Sequence, residues 1–139
     1  MFHASAYKLK DEREDLIPKL IHIFKNICYN LPCPDCREQS KKILSRVNFS
    51  QIKTKESLVK FLFEYHNIVN KKLKKPAYSR KEHDKLYCRS KLSNILRKWN
   101  NVMKMESHNQ HDMMMSVSKN NMRKKVLEFF YANKKGFNF

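Results

Sequence analysis

A single glycine in 139 residues is the feature that most narrows what this chain can fold into. Tight hairpin turns need residues at positive φ, which glycine supplies at the least steric cost, so a sheet assembled from hairpins is nearly closed to it. Four prolines and 41% hydrophobic residues complete a composition suited to helices joined by short polar loops. The length leaves room for one compact domain and an appendage.

The apolar residues repeat at helical spacing. Leu16, Leu20, Ile23, Phe24 and Ile27, with Lys19, His22, Lys25 and Asn26 between them, predict an amphipathic helix over residues ~12–29. Leu31-Pro32-Cys33-Pro34 interrupts it, and a proline is tolerated in a first helical turn, so a second helix is expected from Pro34 to about Ser45. Leu58, Phe61, Leu62, Tyr65, Val69 and Leu73 form the stripe of the longest segment, Thr54 to Leu73, closed by Pro76. Ser79-Arg80-Lys81-Glu82 is a capping-box pattern and predicts a short helix carrying Leu86 and Tyr87. Beyond Cys88, the residues Leu92, Ile95, Leu96, Trp99 and Met103 suit another helix, residues 106–117 read as a linker, and Ser118 is the expected cap of a last helix over ~118–132.

The formal charge of +17 suggests a polyanion partner, nucleic acid or an anionic membrane surface. It is spread evenly, however. Residues 1–87 carry 19 Lys and Arg against 10 acids, and residues 88–139 carry 11 against 3, which reads equally as a solvated surface. No stretch approaches the ~20 apolar residues of a membrane span, and no basic region leads from Met1 into a signal-like apolar run, so a soluble protein is expected. Four cysteines are too few for a disulfide scaffold, and the C-x-x-C spacing of Cys33 and Cys36 points to redox chemistry or metal.

That dithiol is expected at the start of a helix, where unpaired N–H groups and the dipole favour negative charge on sulfur. A thioredoxin-like reading would need a βαβ setting, and the flanks here have helical patterns instead. Late on the long helix, His66, Asn70 and Leu73 stand at i, i+4 and i+7 and share a face that suits a planar polar ligand. Alternatively, His66 and Asn70 sit at the wet rim of a bundle.

Together the two constellations resemble a known family. A proline-flanked C-x-x-C followed, some thirty residues on, by His66-Asn67-x-Val69-Asn70-x-x-Leu73-x-Lys75-Pro76 is similar to the Erv/ALR family of FAD-linked sulfhydryl oxidases. The resemblance spans residues 1 to about 87, and the Leu31-Pro32-Cys33-Pro34-Asp35-Cys36 form looks most like the small oxidases of large DNA viruses. It implies an all-α fold, a four-helix bundle with a short fifth helix, here with a basic helical extension over residues 88–139. It also implies FAD as cofactor, dithiol proteins as substrates, molecular oxygen as acceptor with hydrogen peroxide as product, a homodimer, and a place in the host cytoplasm or the virion. Carried over residue by residue, Cys36 is the sulfur beside the flavin and Cys33 the outer sulfur that exchanges with substrate. His66, Asn67, Asn70 and Leu73 line the FAD site, Lys75 lies near its phosphates, His3 matches a histidine of the first helix, and Tyr87 takes the place of a tryptophan on the adenine.

The chain departs from the family pattern in two respects. The first-helix tryptophan would lie just ahead of Met1, leaving about half of that helix, and Phe63 and Arg80 stand where cellular relatives have a structural disulfide. Cys28 is expected as a small core residue, and Cys88 as a free thiol, an intermolecular partner or an inert side chain. A rival reading is a zinc-stabilised basic module that binds nucleic acid, with Cys33 and Cys36 joined by two of His66, His83 and Cys88.

Overall fold

The computed structural model describes residues 1–104 and 112–139, apart from the side chains of 112–116. Among these residues the fold is all-α. The helices are α1 (Phe2–Lys8), α2 (Ile17–Tyr29), α3 (Pro34–Leu44), α4 (Lys55–Lys72), α5 (Arg80–Cys88), α6 (Leu92–Lys104) and α7 (Asp112–Ala132).

Helix starts follow their caps. Thr54 Oγ1 accepts from the Ser57 N–H at 3.2 Å, while Ser57 Oγ accepts from the Thr54 N–H at 3.0 Å, which sets α4 to begin at Lys55. Ser79 and Glu82 form the same reciprocal pair, at 3.2 and 2.9 Å, ahead of α5. The end of α4 is equally well defined. The Lys75 N–H reaches the Asn70 carbonyl at 2.9 Å and the Lys74 N–H that of Lys71 at 3.2 Å, a Schellman closure in which Lys74 adopts φ 54°.

Two helices begin elsewhere than the sequence predicts. The helix expected from residue ~12 starts at Ile17, because Pro18 has no N–H to donate to Glu14, and residues Asp11–Leu16 wind as a 3₁₀ turn with Arg13 at non-helical φ −122°. The last helix starts at Asp112, six residues before Ser118, so the second half of the expected 106–117 linker is helical; the rest of that linker lies outside the described residues. The first helix, α1, is seven residues long.

One hydrophobic cluster unites these elements. Phe24 of α2 stands at its centre, with Phe2, Phe61 and Tyr65 set edge-on around it at 5.0, 5.6 and 5.1 Å. Ala4, Ser5 and Ala6 are fully or almost fully buried, and these small side chains let α1 approach α4, α5 and α6 together. The extension joins the same core through Leu92, Leu96, Val126, Phe129, Phe130 and Phe137.

The C-terminal residues fold back onto the N-terminal ones. Leu9 and Phe137 form an isolated antiparallel bridge, flanked by Lys10 N–H to Gly136 carbonyl (3.0 Å) and Asn138 N–H to Lys8 carbonyl (2.7 Å). The lone glycine sits here. A Cβ on Gly136 would come within 2.9 Å of Leu16 Cδ1, so a larger residue there would require the Leu16 side chain to shift.

Candidate active site

The cysteine pair heads α3 as predicted. Cys33 is the N-cap, its sulfur accepts the Cys36 N–H at 3.2 Å, and Pro34 fills the first helical position where no N–H is needed. Cys33 and Cys36 are joined in a disulfide with Cα atoms 5.2 Å apart, and both residues are exposed. A dithiol held here closes with little movement and faces solvent, where an incoming thiol can reach it.

Ser40 lies one turn after Cys36 on the same face of α3. Its hydroxyl is 2.9 Å from the hydroxyl of Tyr65 on α4, which also lies 3.5 Å from the sulfur of Cys28. Burial pushes both the Tyr65 phenol and the Cys28 thiol above their ordinary pKa values, so both stay protonated at neutral pH. Cys28 is buried and unpaired in the core, as expected, and Cys88 is exposed at the end of α5.

Tyr65 precedes His66, and from His66 the polar groups fan out. A cleft of about 410 Å³ is lined by His66, Asn70, Lys75, Pro76, Ala77, Tyr78 and Glu82. Asn70 is buried, with its amide directed at the Pro76 carbonyl at 3.4 Å, and the Tyr78 ring stands edge-on to His66 at 5.5 Å. Flat ring faces, a buried amide and the Lys75 ammonium are a set that suits a planar heteroaromatic carrying an anionic group.

Of the residues singled out from sequence, His66, Asn70 and Lys75 line this cleft. Asn67 instead clamps the connection to α5: its side-chain amide donates to the Tyr78 carbonyl at 3.0 Å and accepts the Tyr78 N–H at 2.9 Å. Leu73 is the C-cap of α4, 56% exposed and not in the lining. His3 and Tyr87 lie behind His66, with their rings stacked at 4.9 Å and His3 Nε2 3.0 Å from His66 Nδ1.

Four residues at the site escape the sequence reading. Tyr78 lines the cleft, and Tyr7 and Asp84 join His83, weighed there only as a zinc ligand, in a hydrogen-bonded group behind it. The zinc arrangement is not supported by the geometry: the two sulfurs are bonded to each other, and both ring nitrogens of His83 are engaged, by Tyr7 at 3.0 Å and His3 at 2.8 Å.

A larger cleft of about 600 Å³ opens between α2 and α7, lined by Ile23, Asn26, Asn30, Met122 and Lys125 among others. It contains none of the motif residues.

The sequence profile of the Erv1 / Alr family matches residues 1–88, which takes in both the disulfide and the cleft. The chain belongs to the Erv1/Alr family. It is 34% identical over 68 residues to the mitochondrial FAD-linked sulfhydryl oxidase ERV1 of Saccharomyces cerevisiae, an alignment covering 49% of this chain and 34% of the yeast protein. The chain thus spans about a third of that relative's length. No solved structure matches. Residues from 89 onward, which supply α6 and α7, lie outside the match to the Erv1/Alr profile, yet they share the core of the matched part. No helix among the described residues is long and apolar enough to cross a membrane.

Proposed function

We propose that this chain is an FAD-dependent thiol oxidase that forms disulfides in protein dithiols through Cys33 and Cys36. One observation carries the reading: the disulfide heads α3, and the same face of that helix is tied through Ser40 to Tyr65, the neighbour of His66 in the cleft. Membership of the Erv1/Alr family and the name of the yeast relative support it.

The residues perform the exchange as follows. A substrate thiolate attacks the exposed Cys33 sulfur; a mixed disulfide forms, the Cys33–Cys36 bond breaks, and its electron pair stays on the Cys36 sulfur. The dipole of α3 favours negative charge at its start, and the Cys36 N–H is directed at the Cys33 sulfur, which stabilises that sulfur as a thiolate. The second substrate thiolate then attacks its own partner sulfur, the substrate leaves as a disulfide, and Cys33 departs as thiolate. FAD, when bound, would supply the redox chemistry that takes up this electron pair and reduces molecular oxygen to hydrogen peroxide. His66, Asn70 and Tyr78 hold and orient a flat ring system, and Lys75 offsets phosphate charge. Asn67 contributes indirectly, by fixing the backbone that carries Tyr78. His3 and Tyr87 support His66 from behind, and Leu73 closes the helix that presents it.

A homodimer, and the small viral type of oxidase acting in host cytoplasm or virion, belong to this proposal through the resemblance of the single cysteine motif.

Purified protein is expected to be yellow and to consume oxygen with a model dithiol. His66→Ala and Asn70→Ala should lose the flavin, whereas Lys125→Glu, in the larger cleft, should keep it. A colourless protein holding stoichiometric zinc would overturn the reading in favour of the zinc module.

A further inference from the structure

Behind the cleft a chain of hydrogen bonds crosses three helices. His66 Nδ1 on α4 lies 3.0 Å from His3 Nε2 on α1, and His3 Nδ1 lies 2.8 Å from His83 Nε2 on α5. His83 Nδ1 is 3.0 Å from the Tyr7 hydroxyl, which donates to the Asp84 carboxylate. Asp84 is ion-paired at 2.9 Å with Arg80, which is in turn 3.0 Å from Glu56.

The proton count gives this chain one direction. Asp84 beside Arg80 is an ionised carboxylate and can only accept, so the single proton of the Tyr7 hydroxyl points to it. Tyr7 can then only accept from His83, which must carry its proton on Nδ1. A neutral imidazole protonated on Nδ1 has a bare Nε2, so His3 must donate from Nδ1, and by the same step His66 must donate from its own Nδ1. The remaining nitrogen, His66 Nε2, is left with a lone pair and no hydrogen-bond partner among the described residues, on a side chain that lines the cleft.

We propose that Tyr7, His83 and Asp84 are positioning residues that lock His66 in its Nδ1–H tautomer, so that the cleft presents a hydrogen-bond acceptor, and not a donor, to the group bound there. The ligand chemistry this selects is an N–H or O–H donor, such as a ring N–H or an exocyclic amine of a heteroaromatic. The inference rests on the cofactor reading only for what fills the cleft; the tautomer itself belongs to the protein.

The surroundings favour three neutral rings. His83 is 1% exposed, with Phe63 against it at 5.3 Å and Tyr87 at 4.8 Å, and Tyr87 also stacks on His3. The charged groups facing the chain are Asp84, Arg80, Lys75 and the N-terminal amine. Burial holds all three imidazoles below their ordinary pKa, His3 at about 3, while Tyr7 and Arg80 keep Asp84 below the usual carboxylate range. A charge on His3 or His83 would turn an accepting nitrogen into a donor and break the sequence of bonds, and a charge on His66 would remove the acceptor it offers to the cleft.

Long-range proton–nitrogen correlation NMR of ¹⁵N-labelled full-length protein at pH 7.5 reads each tautomer directly. The expected result is Nδ1–H with bare Nε2 for His3, His66 and His83. In Tyr7→Phe and in Asp84→Asn the His66 signals should move to the Nε2–H form or to a mixture. Asp84 is half-exposed, so the Asn variant gives a reading even where loss of the Tyr7 hydroxyl disturbs folding. An Nε2–H His66 in the wild type, or an unchanged tautomer in folded variants, overturns the proposal. Flavin absorbance of the same samples is a separate readout: a colourless protein with the expected tautomers removes the cofactor reading and leaves this one standing.

Discussion

At the scale of single residues, the molecule is organised by where it buries groups that can titrate. His3 is held at a pKa of about 3 by burial, with His83, His66 and the N-terminal amine adding repulsion, against an ordinary value of 6.5. A folded pKa lowered in this way leaves stability intact above 6.5 and erodes it as pH falls from there towards 3, because the unfolded chain takes up the proton first. The unfolding free energy from urea titrations should therefore fall between pH 7 and pH 4.5, by an amount on the order of a few kcal/mol at the acid end, and His3→Gln should flatten that slope. A wild-type slope equal to that of the variant would show that His3 is not the group responsible. The cysteines divide in the same way by burial: Cys33 and Cys36 are exposed and bonded, Cys28 is enclosed with Tyr65. His66, Asn70 and Lys75, which line the cleft, could be grouped from sequence because their spacing is local. Tyr7, His83 and Asp84 could not, since side-chain links across 76 and 77 positions leave no periodic trace.

Among the elements, α3, α4 and α5 were legible because each combines a helical pattern with a cap or a proline at its start or end, and α6 because of its apolar stripe alone. Thr54, Ser79 and Pro34 mark their boundaries in the sequence as they do in the fold. The start of α2 was misplaced since the apolar pattern runs on through Leu16 while the missing N–H of Pro18 breaks the hydrogen bonding. Ser118 offered a plausible cap, and α7 runs through it. Two predictions belong to this scale. Lys74 occupies the left-handed position of the Schellman turn that delivers Lys75 and Tyr78 to the cleft, so Lys74→Gly should stabilise the protein by about 1 kcal/mol, raising the thermal midpoint by a few degrees. A lower midpoint would mean that the Lys74 side chain matters more than its backbone. Ser79→Ala removes the reciprocal cap of α5 and should cost about 1 kcal/mol by chemical denaturation, with no loss expected only if the cap is solvated in solution.

For the whole molecule, the decisive feature is that the family-matched part and the residues beyond it have one core. Phe130 of α7 has no exposed surface and sits with Leu9, Ala4 and Phe137 in the cluster that also holds α1. Phe130→Ala should therefore lower the single unfolding transition of the entire chain, by about 3–5 kcal/mol, instead of melting the extension alone. Two separated transitions in calorimetry would contradict that unity. The same core holds α1, and hence His3 and Tyr7, against α4 and α5, so the extension helps to place the cleft. Electron transfer from the reduced Cys33/Cys36 dithiol to a bound flavin is read out by anaerobic titration of the purified protein with a dithiol while flavin absorbance is followed. The wild type is expected to take up two dithiols per chain with the flavin bleaching in the course of the titration, and Cys36→Ser to fail to bleach on the same timescale. Equal bleaching in the variant, or a protein without flavin absorbance, would contradict it.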